Sequence, residues 1–250
     1  LYFNTANGIF DADTGGTNYG DSFVKLNATP DGNGNLTVAA TFTPADQYFR
    51  STAACPNEGN SPGDYDFGSG GVTLIPPHEL NTPYLAVSGD KEGGIWFMNL
   101  ANPGGFSGTD TCSSSGGDAN VQTWPVSGTL SISGPTIHTN PAFWENTAGT
   151  NYLFIAPEKT STWSGDLPQY TLCPTGKPIN STCGTNYVVA TDQNGVAVGF
   201  NYGATPSISQ SSTDSTDAIV WAIKGDESVQ GSAVVGKLYA FKAVEMKQLY

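Results

Sequence analysis

Short apolar runs, each bounded by Gly, Pro, Asn or Asp, recur along this chain. They fall at residues 22–26, 36–42, 72–75, 84–87, 95–100, 142–144, 152–155, 187–190, 196–200, 218–223 and 237–242. Runs of this kind are the mark of β-strands, and helical periodicity is almost absent. The one stretch that invites a helix, Ala243-Val244-Glu245-Met246-Lys247, is short enough to be a turn between strands. Several runs resemble one another, and the likeness repeats in order. Tyr84-Leu85-Ala86-Val87 matches Tyr152-Leu153-Phe154-Ile155 and the opening Leu1-Tyr2-Phe3-Asn4. Gly94-Ile95-Trp96-Phe97-Met98-Asn99 matches Lys237-Leu238-Tyr239-Ala240-Phe241-Lys242, and Asn140-Pro141-Ala142-Phe143 matches Thr205-Pro206-Ser207-Ile208. A unit of a few short strands cannot bury its own apolar face, so the recurrence implies stacked units with a shared core. Stacked radially, such units form an all-β propeller of antiparallel blades with roughly four strands each. Pro141 and Pro206 are 206 − 141 = 65 residues apart, a spacing that gives about four blades; it exceeds the ~40–50 residues of compact repeats, and long loops such as the Gly/Ser tract at 109–119 take up the excess. A β-sandwich is the competing architecture, but it does not explain the ordered recurrence.

Composition agrees. With 31 Gly and 16 Pro the chain is poorly suited to helices, while 38% hydrophobic and 11% aromatic residues supply a core. Acidic residues number 22 against 9 Lys and Arg, a net charge of −13. A phosphate backbone or an anionic membrane surface would be repelled, so neither nucleic acid nor membrane is an expected partner. The charge serves solubility, or it binds cations. No apolar run approaches the ~18 residues that span a bilayer. Only 12% of residues are charged, and Ser, Thr, Asn and Gly supply the polar surface, which suits a secreted, extracellular or periplasmic protein. The chain opens on Leu1-Tyr2-Phe3 without an initiating Met and closes on Lys247-Gln248-Leu249-Tyr250. The expectation is therefore a single propeller domain over 1–250, part of a larger ring, with both natural ends missing.

The cysteines are Cys55, Cys112, Cys173 and Cys183, with no C-x-x-C pair. A structural zinc site is therefore not expected. Cys173 and Cys183 flank a turn-rich excursion, and a disulfide closing it would contribute very roughly 3 kcal/mol through loop entropy. Cys55 and Cys112 then pair by elimination, four free thiols being the alternative. N-x-T sequons stand at Asn27, Asn35 and Asn180 and mark candidate glycosylation sites.

The segment Lys237-Leu238-Tyr239-Ala240-Phe241-Lys242-Ala243, ending in Lys247-Gln248-Leu249-Tyr250, resembles the repeat of the pyrroloquinoline-quinone (PQQ) propeller family. That repeat reads approximately Gly-x-Leu-Tyr-Ala-Phe-Asp-Ala, then Thr-Gly-Lys, then Leu-Trp. Ala218-Ile219-Val220-Trp221-Ala222-Ile223 and the run from Asp90 to Asn99 are similar. Family enzymes hold the quinone between a Trp and adjacent cysteines, hold Ca²⁺ with Glu, Asn and Asp, and use an Asp as base. This chain has no adjacent cysteines, no Thr-Gly between Ala243 and Met246, and Tyr250 where Trp belongs. The resemblance thus implies a binding or structural module with a degraded cofactor site and a protein or carbohydrate partner. Its alternative is a PQQ- and Ca²⁺-dependent dehydrogenase of alcohols or sugars completed by further blades.

Among chemically competent residues, Asp64 and Asp66 alternate just before a strand, so their carboxylates point the same way. They form a candidate Ca²⁺ site, or the carboxylate pair of a propeller glycosidase, unless they merely cap turns. Asp11, Asp13 and Asp21 fall short of an EF-hand, because Gly15 and Ser22 stand at its fifth and twelfth positions. Asp31-Gly32-Asn33-Gly34-Asn35 reads as a hairpin turn. Trp96, Trp144 and Trp221 belong to the core between blades. Trp163, in a polar loop, is the candidate ligand platform.

Overall fold

The computed structural model describes residues 1–51, 64–76, 84–108, 118, 122–125, 135–160, 165–172, 189–192, 196–211, 216–225 and 236–250. The described chain is mostly β, in several small sheets of largely antiparallel strands, and no closed ring is formed among these residues. The first sheet contains β1 (Tyr2–Asn4), β2 (Phe23–Leu26) and β3 (Val38–Thr43). The second contains β4 (Thr73–Ile75), β5 (Leu85–Gly89) and β6 (Gly94–Asn99). Next in the chain, β7 (Gly105–Phe106) returns to the first sheet, parallel to β3, and β8 (Gln122–Pro125) completes the second. The third is β9 (Ala142–Glu145), β10 (Asn151–Phe154), β12 (Gln169–Leu172) and β13 (Val189–Asp192), beside a ribbon of β11 (Asp166–Leu167) and β14 (Val196–Ala197). The fourth is β15 (Ser207–Ser209), β16 (Ile219–Gly225) and β17 (Gly236–Lys242).

Most of the resemblances within the sequence fall on equivalent strands, but that of Leu1–Asn4 does not, because β1 stands first in its sheet. β5 and β10 are each second in their sheets, β6 and β17 are third, and β9 and β15 are first. Residues 243–245 form the expected turn. Among the described residues the one α-helix, α1 (Gln47–Arg50), has no counterpart in the strand pattern.

Period-two alternation builds the core. Ala86, Trp96 and Met98 face the first sheet, packing with Phe23, Phe42 and Phe67. Their neighbours Leu85, Val87, Ile95 and Phe97 face the third sheet and meet Leu153, Ile155, Tyr170 and Leu172. The third sheet's opposite face carries Trp144 and Phe154 onto Val220, Ala222 and Phe241 of the fourth. The sheets therefore stack in chain order, each covering the next. A two-layer sandwich would not use both faces of its sheets this way.

The stack ends on apolar faces. Of the first sheet's outer side, Phe3 is 36% exposed and Val38 39%, beside an open groove of about 580 Å³ that also touches Ile9, Val24 and Leu26. Of the fourth sheet's outer side, Ile223 is 63% exposed and pairs with the exposed Leu238 across β16 and β17. Trp221 lies on this side too, with its indole N–H donating to Ser209 Oγ. It is therefore not enclosed between two sheets, as Trp96 and Trp144 are.

One turn is used three times. Asp31, Asp90 and Asn146 each accept, through Oδ1, the N–H groups two and four residues on. The fourth residue is Gly34, Gly93 or Gly149, with φ of 84°, 78° and 79°. Only glycine enters that region freely, so the Asx-x-x-Gly spacing sets each hairpin.

Candidate functional site

Charged side chains gather where loop 5–22 meets the segment before β4, the β5–β6 turn and the segment before β9. Backbone bonds knit these pieces together: Lys91 N–H donates to Asp66 O, and Ile137 N–H to Asp90 O. Asp64 and Asp66 do converge on a cation, and that cation is the ammonium of Lys91. Its Nζ lies 2.7 Å from Asp64 Oδ1 and also pairs with Asp66 Oδ2. Asn7 completes the arrangement, donating its backbone N–H to Asp66 (2.8 Å) and its side-chain amide to Asp64 (3.2 Å). The Lys91 hydrogen bond holds the Asp64 carboxyl below its ordinary value. Burial opposes the Lys91 charge, but the two carboxylates prevail and raise its pKa.

Beneath this surface lies a node that the sequence reading missed. Arg50, the chain's sole arginine, is fully buried at the end of α1. Its Nε bonds Asp46 Oδ1 at 2.6 Å, its Nη1 bonds Asp90 Oδ2 at 2.9 Å, and its Nη2 bonds Glu92 Oε2. Its guanidinium also sits 5.2 Å from the Trp96 ring, close enough for a cation–π contact. Burial works against the guanidinium charge, yet the three carboxylates raise its pKa well above the ordinary value. The available signal was the lone Arg among so many acids, four residues after an Asp in a helical spacing.

Three carboxylates on one guanidinium leave an excess of negative charge in the interior. Burial accordingly pushes Glu92 up to about 7, against the pull of Arg50. Asp90 is raised by burial as well. Asp21 lies close by and is fully buried, with φ of 51°. Its Oδ1 accepts the Phe67 N–H at 3.1 Å, and no group among the described residues meets its Oδ2. Burial raises Asp21 to about 7, partly offset by the Phe67 N–H and Arg50.

The remaining candidates separate. Asp11 closes its own loop by accepting the backbone and side-chain amides of Asn18, and Tyr48 donates to Asp13 at 3.4 Å. His138 pairs with Glu158 at 3.0 Å in a partly exposed position. Asn27 and Asn35 lie on the exposed β2–β3 hairpin. Trp163, Cys55, Cys112, Cys173, Cys183 and Asn180 lie outside the described residues.

The cofactors of the quinoprotein resemblance fit this end poorly. Ca²⁺ takes 6–8 oxygens at roughly 2.3–2.6 Å, whereas an ammonium already sits between Asp64 and Asp66. Among the described residues no cluster of three or more His, Cys, Asp or Glu side chains is placed to hold a metal. Trp96 offers no open face to a quinone, being packed against Phe42, Phe67 and Arg50. Among the described residues no helix is long and apolar enough to cross a membrane. No family model and no curated protein matches this chain.

Proposed function

We propose that the chain is a set of consecutive blades from a quinoprotein-like propeller of the extracellular type, acting as a binding or structural module for a protein or carbohydrate partner. The propeller reading draws on the stacking of sheets in chain order and on the repeat occupying equivalent strands. It also accounts for the apolar outer faces of the first and fourth sheets, which further blades would cover.

One observation carries the non-catalytic reading: at the charged end Asp46, Asp64, Asp66, Asp90 and Glu92 are engaged in ion pairs, and Asp21, with no cationic partner among the described residues, is fully buried. Lys91 holds Asp64 and Asp66, and Arg50 holds Asp46, Asp90 and Glu92. A general base or glycosidase acid needs a carboxyl presented to substrate, and a neutralised pair does not present one. Equilibrium dialysis against PQQ with Ca²⁺, alongside dye-linked assays on alcohols and sugars, tests this. No stoichiometric binding and no turnover are expected; tight binding of the quinone with turnover would restore the dehydrogenase.

A further inference from the structure

We propose that loop 5–22 is an acid-closed lid, docked on the charged end while the Asp21 carboxyl is neutral and released when it ionises. The loop is built to move as one piece. Its own backbone bonds close it, with Thr5 N–H donating to Ser22 O at 2.8 Å, and Asp21 N–H to Ala6 O and Gly20 N–H to Ile9 O at 2.9 Å each. Asp11 ties the far end by accepting both amides of Asn18. Its hold on the rest of the chain is slight. Within 5–22 Phe10 is the one buried apolar side chain, set edge-on to Phe106 with ring centres 4.8 Å apart and to Tyr48 at 6.1 Å. Asn7 donates to Asp66, and Gly8 O accepts from Ser51 Oγ at 3.1 Å. So little buried apolar contact is the mark of a segment that opens without the rest unfolding.

Asp21 is the group that makes this docking conditional. It is fully enclosed, one oxygen accepting the Phe67 N–H and the other unmet among the described residues. Arg50 and Asp46 face it from α1, and Asp66 from the segment before β4. The β5–β6 turn stands behind these, with Asp90 and Glu92 on Arg50 and Lys91 on Asp66. Each nitrogen of the guanidinium already serves another carboxylate, and the Lys91 ammonium is divided between Asp64 and Asp66. An anion at Asp21 is therefore buried without a counter-ion of its own, which is costly until water reaches it. Lifting the loop carries Asp21 out to water. The same movement relaxes its φ of 51°, a conformation that residues other than glycine rarely hold.

Burial raises the Asp21 carboxyl to about 7 in the closed form. In the open form it returns toward the ordinary carboxylate range. The closed form is thus fully favoured below about pH 4 and loses its advantage as pH rises through 7. Opening takes Asn7 away from Asp64 and Asp66, so a partner at the charged end would meet a different surface above neutrality.

The test is amide hydrogen exchange of the full chain at pH 5 and pH 8, each rate divided by the intrinsic rate at that pH, with and without sub-denaturing urea. Protection within 5–22 should fall roughly 10–100-fold between the two, the change that a carboxyl shifted this far produces. It should stay below the protection of Asn151–Phe154 and respond little to urea, because a small segment opens. In Asp21→Asn it should be the same at both pH values. Protection within 5–22 that holds from pH 5 to pH 8 overturns the proposal. So does protection there equal to that of Asn151–Phe154 at pH 8, since the loop then opens only with the whole fold, or an undiminished fall in Asp21→Asn. The series on the natural chain decides the matter even where the variant does not fold.

Discussion

The Trp96 indole nitrogen donates to Asp90 Oδ2 at 2.6 Å, and that same oxygen accepts from Arg50 Nη1. Asp90 therefore links a hairpin turn, an aromatic core and the buried guanidinium in one side chain. Trp96→Phe keeps ring contacts with Phe42 and Phe67 but deletes the donor. The expected loss is about 1–3 kcal/mol, the cost of one hydrogen bond to a charged acceptor that Arg50 still meets, together with the packing lost to a smaller ring, measured by urea unfolding. An unchanged midpoint would show that the bond contributes nothing.

Removing Arg50 leaves Asp46, Asp90 and Glu92 without their counter-charge. Arg50→Met should destabilise by roughly 3–5 kcal/mol near neutral pH. Arg50→Lys should also fail to restore stability, because one ammonium cannot reproduce a planar fork serving three carboxylates. The deficit should shrink at pH 5, where Glu92, raised to about 7, is protonated. Thermal melts of both variants at pH 5 and 8 check this.

Asp21 and Glu92 set the sign of the pH dependence. Both folded values stand near 7, above the ordinary carboxyl range. Their contribution is full below about pH 4 and is lost as pH rises through 7. Asp64, held low by Lys91, acts oppositely and gives way only below that range. The fold should therefore be more stable at pH 5 than at pH 8, by a few kcal/mol at about 1.4 kcal/mol per unit. Asp21→Asn and Glu92→Gln should each flatten the slope of unfolding temperature against pH between 5 and 8. A protein that gains stability over that interval would contradict the assignment.

Lys91 occupies the point where a cation would sit between Asp64 and Asp66. Calorimetric titration with CaCl₂ should detect no binding to the natural protein at this pair. In Lys91→Ala the freed carboxylates should take up Ca²⁺ weakly, and Asp64→Asn in that background should abolish the signal.

The exposed apolar ends should be sticky without being stabilising. Phe3→Lys and Ile223→Lys should change unfolding free energy by no more than about 0.5 kcal/mol, as surface substitutions usually do. Both should reduce binding of an environment-sensitive hydrophobic dye and slow concentration-dependent association seen by light scattering. Strong destabilisation would place these side chains inside a packed layer.

Alternation along the runs around Leu85 and Ile95, with the Asx-x-x-Gly turns, made strands and hairpins legible from residues alone, because both follow from local backbone geometry. The match of Tyr84–Val87 with residues 152–155 likewise announced equivalent strands, since like units bury like faces. The sequence could also bring Asp64 and Asp66 to one side, a consequence of the two-residue period. It could not say that Lys91, 25 positions further on, fills the space between them. Nor could it reveal that Arg50 sits against Asp90 and Glu92. Those pairings join a one-turn helix to a hairpin in another sheet, and only sheet-on-sheet packing decides which distant charges share an interior.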